Sequence, residues 1–166
     1  MPQRVSGKRY AQAVFELALE RGLVDQWDSD LGFVDQVLRD RDFRAFLKQA
    51  DVPLGDKVRA IDTVMAEIHP LVQNLVKFLV TKGLVDVVPS LRAAYAGQLD
   101  DHHGRQRVEV TSAVPLEPAE LERINRFVSG MIRKEAVVSA RVDESILGGI
   151  VIQIGDRLLY GSTRSR

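Results

Sequence analysis

Three histidines are the first residues to weigh for metal chemistry: His69, His102 and His103. His102 and His103 are adjacent, and on a helix adjacent side chains diverge by about 100°. His69 is far away in sequence, so the three read as solvated linker histidines rather than ligands. Asp25, Asp28 and Asp30 have the look of a calcium loop. Such a loop needs a glycine at its sixth position and a glutamate at its twelfth, and neither is present. Cysteine is absent, which removes disulfides and thiolate metal sites. Gly148-Gly149 and Gly155 lie around an apolar stretch, but no Gly-Lys-Ser/Thr follows and no G-x-G-x-x-G occurs. They read as a backbone bend and a turn. No G-x-S-x-G or H-E-x-x-H is present either. The paired carboxylates Asp100-Asp101 and Asp143-Glu144 fall in polar stretches and read as solvated. The expectation is a protein with no catalytic, cofactor-binding or metal-binding residue, and hence not an enzyme.

Partner classes are bounded by charge. Lys and Arg total 23 and Asp and Glu total 23 in 166 residues. The balance holds along the chain: 14 basic against 15 acidic residues up to Arg105, then 9 against 8. A nucleic-acid binder normally carries a basic surplus to neutralise phosphates, which weakens the rival reading of a helical RNA-binding or antitermination module. Hydrophobic residues make up 45% and charged residues 28%, enough apolar material for a packed core. The start, Met1-Pro2-Gln3-Arg4, leads into a stretch bearing Lys8, Arg9, Glu16 and Glu20, with no clean apolar core for a signal peptide. No apolar run approaches the ~20 residues of a membrane span. A soluble protein, tied to a membrane only indirectly, is expected.

The elements that would position any site are mostly helices. The pattern predicts six: Ser6–Arg21, Val24–Arg39, Arg41–Gln49, Leu54–Glu67, Pro70–Gly83 and Val87–Asp101. Proline suits the opening of the fifth. The polar run from Asp100 to Arg105 reads as a domain boundary, dividing 1–105 from 106–166. Beyond it, Arg107–Thr111 alternates as a half-buried strand and Leu121, Ile124, Val128 and Met131 mark an amphipathic helix. Val138–Val142 alternates again, and Gly149–Ile154 reads as a short buried strand turning at Gly155-Asp156 into Arg157–Tyr160. The fold class expected is mainly α, a six-helix N-terminal bundle followed by a small mixed β-α-β-β domain.

Two helices carry more apolar surface than one packed face requires. A helix lying on a core needs an apolar arc of about 100° or somewhat more. Tyr10, Ala11, Ala13, Val14, Phe15, Leu17 and Ala18 fill roughly 200° of the first helix at 100° per residue. Leu71, Val72, Leu75, Val76, Phe78, Leu79 and Val80 do the same on the fifth. Either both helices sit inside the bundle, or each presents one flank to an amphipathic helix of another chain. Trp27, on an apolar stripe with Leu31 and Val34, suits core packing, while tryptophan is also enriched among interface anchors.

The ordered motifs resemble a known family. Arg9-Tyr10-Ala11 with Ala13-Val14-Phe15 and Ala18 is similar to the opening helix of ATP synthase delta subunits and the mitochondrial oligomycin-sensitivity-conferring protein. Phe78-Leu79, Lys82-Gly83-Leu84, Val110–Ala113 and Pro115-Leu116 follow in family order. The run Val142–Ile150, then Gly155-Asp156 and Gly161-Ser162, carries the most specific likeness. The resemblance implies a stator subunit that links the catalytic head to the peripheral stalk and resists rotation during proton-driven ATP synthesis. It implies one copy per complex, held at the cytoplasmic face of the cell membrane through that complex. Carried over by position, it places alpha-subunit N-terminal helices against Tyr10, Ala13, Val14, Leu17, Trp27, Val76 and Leu79. It places b subunits on the second domain, with Ile146, Leu147, Leu159 and Tyr160 as candidate contacts. Tyr160-Gly161-Ser162 departs from the family's usual Asp-Gly-Ser, and family members commonly continue into a basic, leucine-bearing helix beyond the position of Arg166.

Overall fold

The structure is a computed structural model and describes residues 7–161. Ser6, expected to open the first helix, and Ser162 of the last motif lie outside the described residues. The first unit, up to Leu99, holds α1 (Gly7–Arg21), α2 (Val24–Val37), α3 (Arg41–Lys48), α4 (Leu54–Val64) and α5 (Pro70–Thr81). A short 3₁₀ turn, Val85–Val87, then leads into α6 (Val88–His102).

Local chemistry sets the ends. α1 and α5 close alike: Gly22 and Gly83 adopt φ of 67° and 69°, a region costly for residues with a Cβ. The next amide then reaches back, Leu23 N–H to the Ala18 carbonyl at 2.9 Å and Leu84 N–H to the Leu79 carbonyl at 2.7 Å. Asp40 caps α3 by accepting from the Phe43 amide at 2.9 Å. α4 stops at Val64, earlier than its apolar spacing suggests, because Met65 leaves helical geometry at φ −109°.

The core of this unit is contributed by every helix. Ala11, Phe15 and Ala18 of α1 meet Trp27, Leu31 and Val34 of α2, Ile61 of α4, Val72, Val76 and Leu79 of α5, and Leu91 and Tyr95 of α6. Tyr95 packs edge-on against Phe15, with ring centroids 5.4 Å apart, and donates its hydroxyl to the Val24 carbonyl at 2.6 Å. Burial, then the nearby carboxylates of Asp28, Asp25 and Asp30, push its phenol far above the ordinary tyrosine range. Asp35 is also buried, and it accepts from Arg92 of α6 at 2.8 Å and from Arg39 at 3.3 Å.

The second unit begins at Asp100, inside the last turn of α6, so the polar run expected to be a linker is helical as far as His102. It contains β1 (Arg105–Ser112), α7 (Pro118–Ile132), β2 (Glu135–Val142), β3 (Ile150–Ile154) and β4 (Arg157–Gly161). The strand order is β2-β1-β3-β4. β1 and β2 are parallel, a pairing that needs a crossover, which α7 supplies. The other pairs are antiparallel. The arrangement is β-α-β-β-β: the Gly155-Asp156 turn read from the sequence folds β4 back on β3, the strand that the shorthand β-α-β-β leaves uncounted. Period-two alternation points Val108, Val110 and Ser112 of β1 inward, where Val128, Ala136 and Ile152 complete a small core.

Candidate docking groove

The surplus apolar flanks of α1 and α5 face each other across an open groove. Ala13, Val14 and Leu17 form one wall, and Leu71, Asn74, Leu75 and Phe78 form the other. Trp27 and Val72 complete the lining, and both are almost wholly buried, so they form its floor. The space measures about 300 Å³. Tyr10, in the first turn of α1, meets the ring of Phe78 in the last turn of α5, centroid to centroid at 6.3 Å. The groove also takes in Leu17 and Leu71, so the two helices flank it in opposite senses.

The lining is apolar apart from the Asn74 amide and the edge of Trp27. Phe78 is 44% exposed, an unusual amount for a phenylalanine inside an otherwise packed bundle. Trp27 lies 5.3 Å from the His69 ring, and its indole N–H is buried with no acceptor among the described residues. His69 itself caps α5: its Nδ1 accepts from the Leu71 amide at 3.1 Å, and its own amide donates to Asp30 at 3.1 Å. The α5 wall is therefore fixed at its start by a cap and at its end by the Gly83 turn.

The structure brings together some of the sequence-selected residues and separates others. Tyr10, Ala13, Val14 and Leu17 all stand on the groove side of α1. Trp27 reaches the groove only as floor. Val76 and Leu79 are 2% and 1% exposed and belong to the bundle core, not to the groove. The cause is helical phase. The stripe Val72–Val76–Leu79 turns inward, and the stripe Leu71–Leu75–Phe78, one residue or about 100° away, turns outward. Leu71, Asn74, Leu75 and Phe78 are thus the α5 groove residues that sequence reasoning did not select. Their i, i+4, i+7 spacing was the available signal. Polar side chains of α5 are also engaged: Gln73 donates to the Met65 carbonyl at 2.6 Å, and Lys77 pairs with Asp62 of α4 at 2.5 Å.

The four candidates in the second unit do not form one surface. Leu159 packs into that unit's core, while Tyr160, the next residue on β4, points to the opposite face of the sheet and is 78% exposed. Leu147 is fully exposed, and Ile146 half-buried, in the loop after β2. There Asp143 accepts from the Ser145 hydroxyl at 2.6 Å and the Ser145 amide at 3.0 Å. These bonds hold its carboxyl below the usual range. Among the described residues no three His, Asp or Glu side chains converge as metal ligands. No helix among them is long and apolar enough to cross a membrane.

A six-helix bundle with an apolar groove between two of its helices, followed by a small four-stranded mixed unit, defines the structural class. The model for the family described as ATP synthase delta (OSCP) subunit matches residues 7–166. The chain belongs to that family. It is 31% identical over 167 residues to the ATP synthase subunit delta of Moorella thermoacetica, covering 100% of this chain and 94% of that protein. To the same subunit of Thioalkalivibrio sulfidiphilus it is 33% identical over 161 residues, covering 95% and 89%. The fold matches a chain in the cryo-EM structure of the Toxoplasma gondii mitochondrial ATP synthase hexamer, with a TM-score of 0.72 at 18% identity, covering 96% of this chain and 91% of that one.

Proposed function

We propose that this delta-family chain is a non-catalytic stator subunit that works by holding two partners at once. The bundle grips the N-terminal helix of an alpha subunit in the α1–α5 groove. The mixed unit holds the b subunits of the peripheral stalk. One copy serves each complex, at the cytoplasmic face of the cell membrane, and contact with the membrane passes through the complex alone. The head is thereby kept from turning with the central stalk during proton-driven ATP synthesis. The task asks for affinity and stiffness rather than chemistry.

The groove is the observation that carries this reading. Its walls present an apolar strip of the kind that receives the apolar face of an amphipathic helix. Each Å² covered contributes about 25 cal/mol before the ordering costs of association are subtracted. The residues proposed to touch the alpha helix are Tyr10, Ala13, Val14 and Leu17 on α1 and Leu71, Asn74, Leu75 and Phe78 on α5, with Trp27 beneath.

Trp27 is the chain's single tryptophan and supplies the readout. An alpha N-terminal peptide titrated into the full chain is expected to change its emission. Val14→Asp, which puts a charge in the groove wall, is expected to weaken binding at least tenfold; Val14 is half-buried against the bundle core, so the unfolding free energy from urea is expected to fall by about 1 kcal/mol while the transition stays cooperative. Equal affinity for mutant and wild type removes the groove from the account.

A further inference from the structure

The groove is electrically lopsided along its length. At the Tyr10–Phe78 end, Arg9 sits one turn before Ala13 on α1, and Lys82 sits one turn beyond Phe78 at the close of α5; both are exposed. Toward the Leu17–Leu71 end, α1 carries exposed Glu16 and Glu20, and the turn entering α5 carries exposed Glu67. Arg21, also exposed, sits at this end and offsets one of them. None of these six side chains pairs with another described residue, so their fields are not cancelled locally. The helix dipoles do not decide the matter. The positive start of α1 and the negative end of α5 lie at the same end of the groove and oppose each other. What remains is about two positive charges at one end and about two negative at the other.

Resting on the docking reading above, we propose that the groove takes its helix in one sense only. Its occupant is an amphipathic segment of bipolar charge. The acidic end lies by Arg9 and Lys82, and the basic end lies by Glu16, Glu20 and Glu67. Against an occupant whose apolar stripe is uniform, the apolar walls contribute affinity but little preference for direction. The rim charges distinguish them, which is the usual part played by exposed charges in recognition. Reversal sets like charges against each other at both ends. Exposed pairs contribute little each, so the preference is modest and salt-sensitive.

The test uses the full chain, ¹⁵N-labelled, and a synthetic 20-residue amphipathic peptide with glutamates in its first two turns, lysines in its last two and a nitroxide at the acidic terminus. Broadening is expected around Tyr10, Phe78 and Lys82 and not around Leu17 and Leu71. In the chain carrying R9E, K82E, E16K and E20K, all at exposed positions, the pattern is expected to move to the Leu17–Leu71 end. A singly-ended variant, R9Q with K82Q, is expected to bind about three- to tenfold more weakly at low salt, the difference fading at 1 M, where screening acts within about 3 Å. Equal broadening at both ends, or a pattern indifferent to charge inversion, overturns the directional proposal and leaves the groove standing. Failure of any peptide to shift Leu71, Leu75 and Phe78 overturns both.

Discussion

The two units of the chain spend their apolar residues differently. Among the described residues, the bundle buries twenty-one in one continuous core and the mixed unit buries five. The mixed unit meanwhile exposes Val114, Phe127, Met131, Val137, Val142, Leu147, Leu158 and Tyr160. Small domains bury a smaller fraction of their surface and are correspondingly marginal. Here the shortfall sits on particular side chains, and it marks the mixed unit as the one with more to gain from a partner. The bundle is different in kind. Its core is the larger one, and Leu17 of α1 and Phe78 of α5 stand exposed in the walls of a groove, while Leu19, Phe33, Leu54 and Val64 are exposed elsewhere. One unit leaves surface uncovered because its core is small. The other has a larger core and a separate site built beside it.

The sharpest way to break this comparison is to mutate the core and the groove on the same helix. Leu79 lies in the bundle core and Phe78 lines the groove, although they are neighbours on α5. Leu79→Ala is expected to cost about 2–5 kcal/mol, read as a drop in the urea midpoint of Trp27 emission. Phe78→Ala is expected to cost far less stability and to cut peptide binding instead. If both changes destabilise equally, groove and core are one body and the distinction fails.

A smaller effect compares the buried carboxylates. Each unit has one held by two arginines. Asp35 ties α2 to Arg92 of α6, 57 residues away. Asp100 is bound by Arg107 only 7 residues on, at 2.6 Å, and by Arg105 at 3.5 Å. All four arginine side chains keep some solvent contact, so removing the carboxylate strands no deeply buried cation. Asp35→Ala is expected to cost about 1–2 kcal/mol and Asp100→Ala less than about 1 kcal/mol. The long-range tie joins two helices far apart in sequence, beside the Tyr95 hydroxyl bond to Val24. The short one closes a turn that Gly104 already favours. Chemical denaturation of the two variants checks the order, and a larger loss for Asp100→Ala reverses it.

How much of this was legible in the sequence differs between α1 and α5. Both helices announced surplus apolar surface by their wide arcs, and on α1 the residues carried over from the family resemblance, Tyr10, Ala13, Val14 and Leu17, fall on the flank away from the buried Ala11, Phe15 and Ala18. α5 offered two stripes of similar quality, and sequence alone does not say which the neighbours will cover. The answer depends on where α4 and α2 lie: Lys77 reaches Asp62, Gln73 reaches the Met65 carbonyl, and Val76 and Leu79 are thereby rolled inward. Trp27 was equally ambiguous, because a floor residue is both core and site. In the mixed unit, alternation placed the strands well. The joint choice of Leu159 and Tyr160 overlooked that consecutive strand residues face opposite ways.

The smallest expected effect sharpens the comparison at the loop between β2 and β3, where the mixed unit has little core to fix its backbone. Asp143 replaces packing with hydrogen bonds, accepting from both the hydroxyl and the amide of Ser145. Those bonds, the hydroxyl first, favour the ionised form and lower its pKa, with a lesser contribution from Arg141. The sign follows. A carboxyl depressed in the folded state adds stability that is present above its unfolded pKa, about 3.9, and lost as pH falls through the lower folded value. Ser145→Ala removes the largest cause. The Asp143 titration midpoint, followed by carboxyl ¹³C shifts, is therefore expected to rise toward the ordinary value. The amides of 144–148 are expected to exchange faster, while the Trp27-reported midpoint of the bundle stays unchanged. An unmoved Asp143 titration means that the loop is held by something other than this bond, and the contrast between a packed unit and a hydrogen-bonded one is lost at the place where it is drawn most finely.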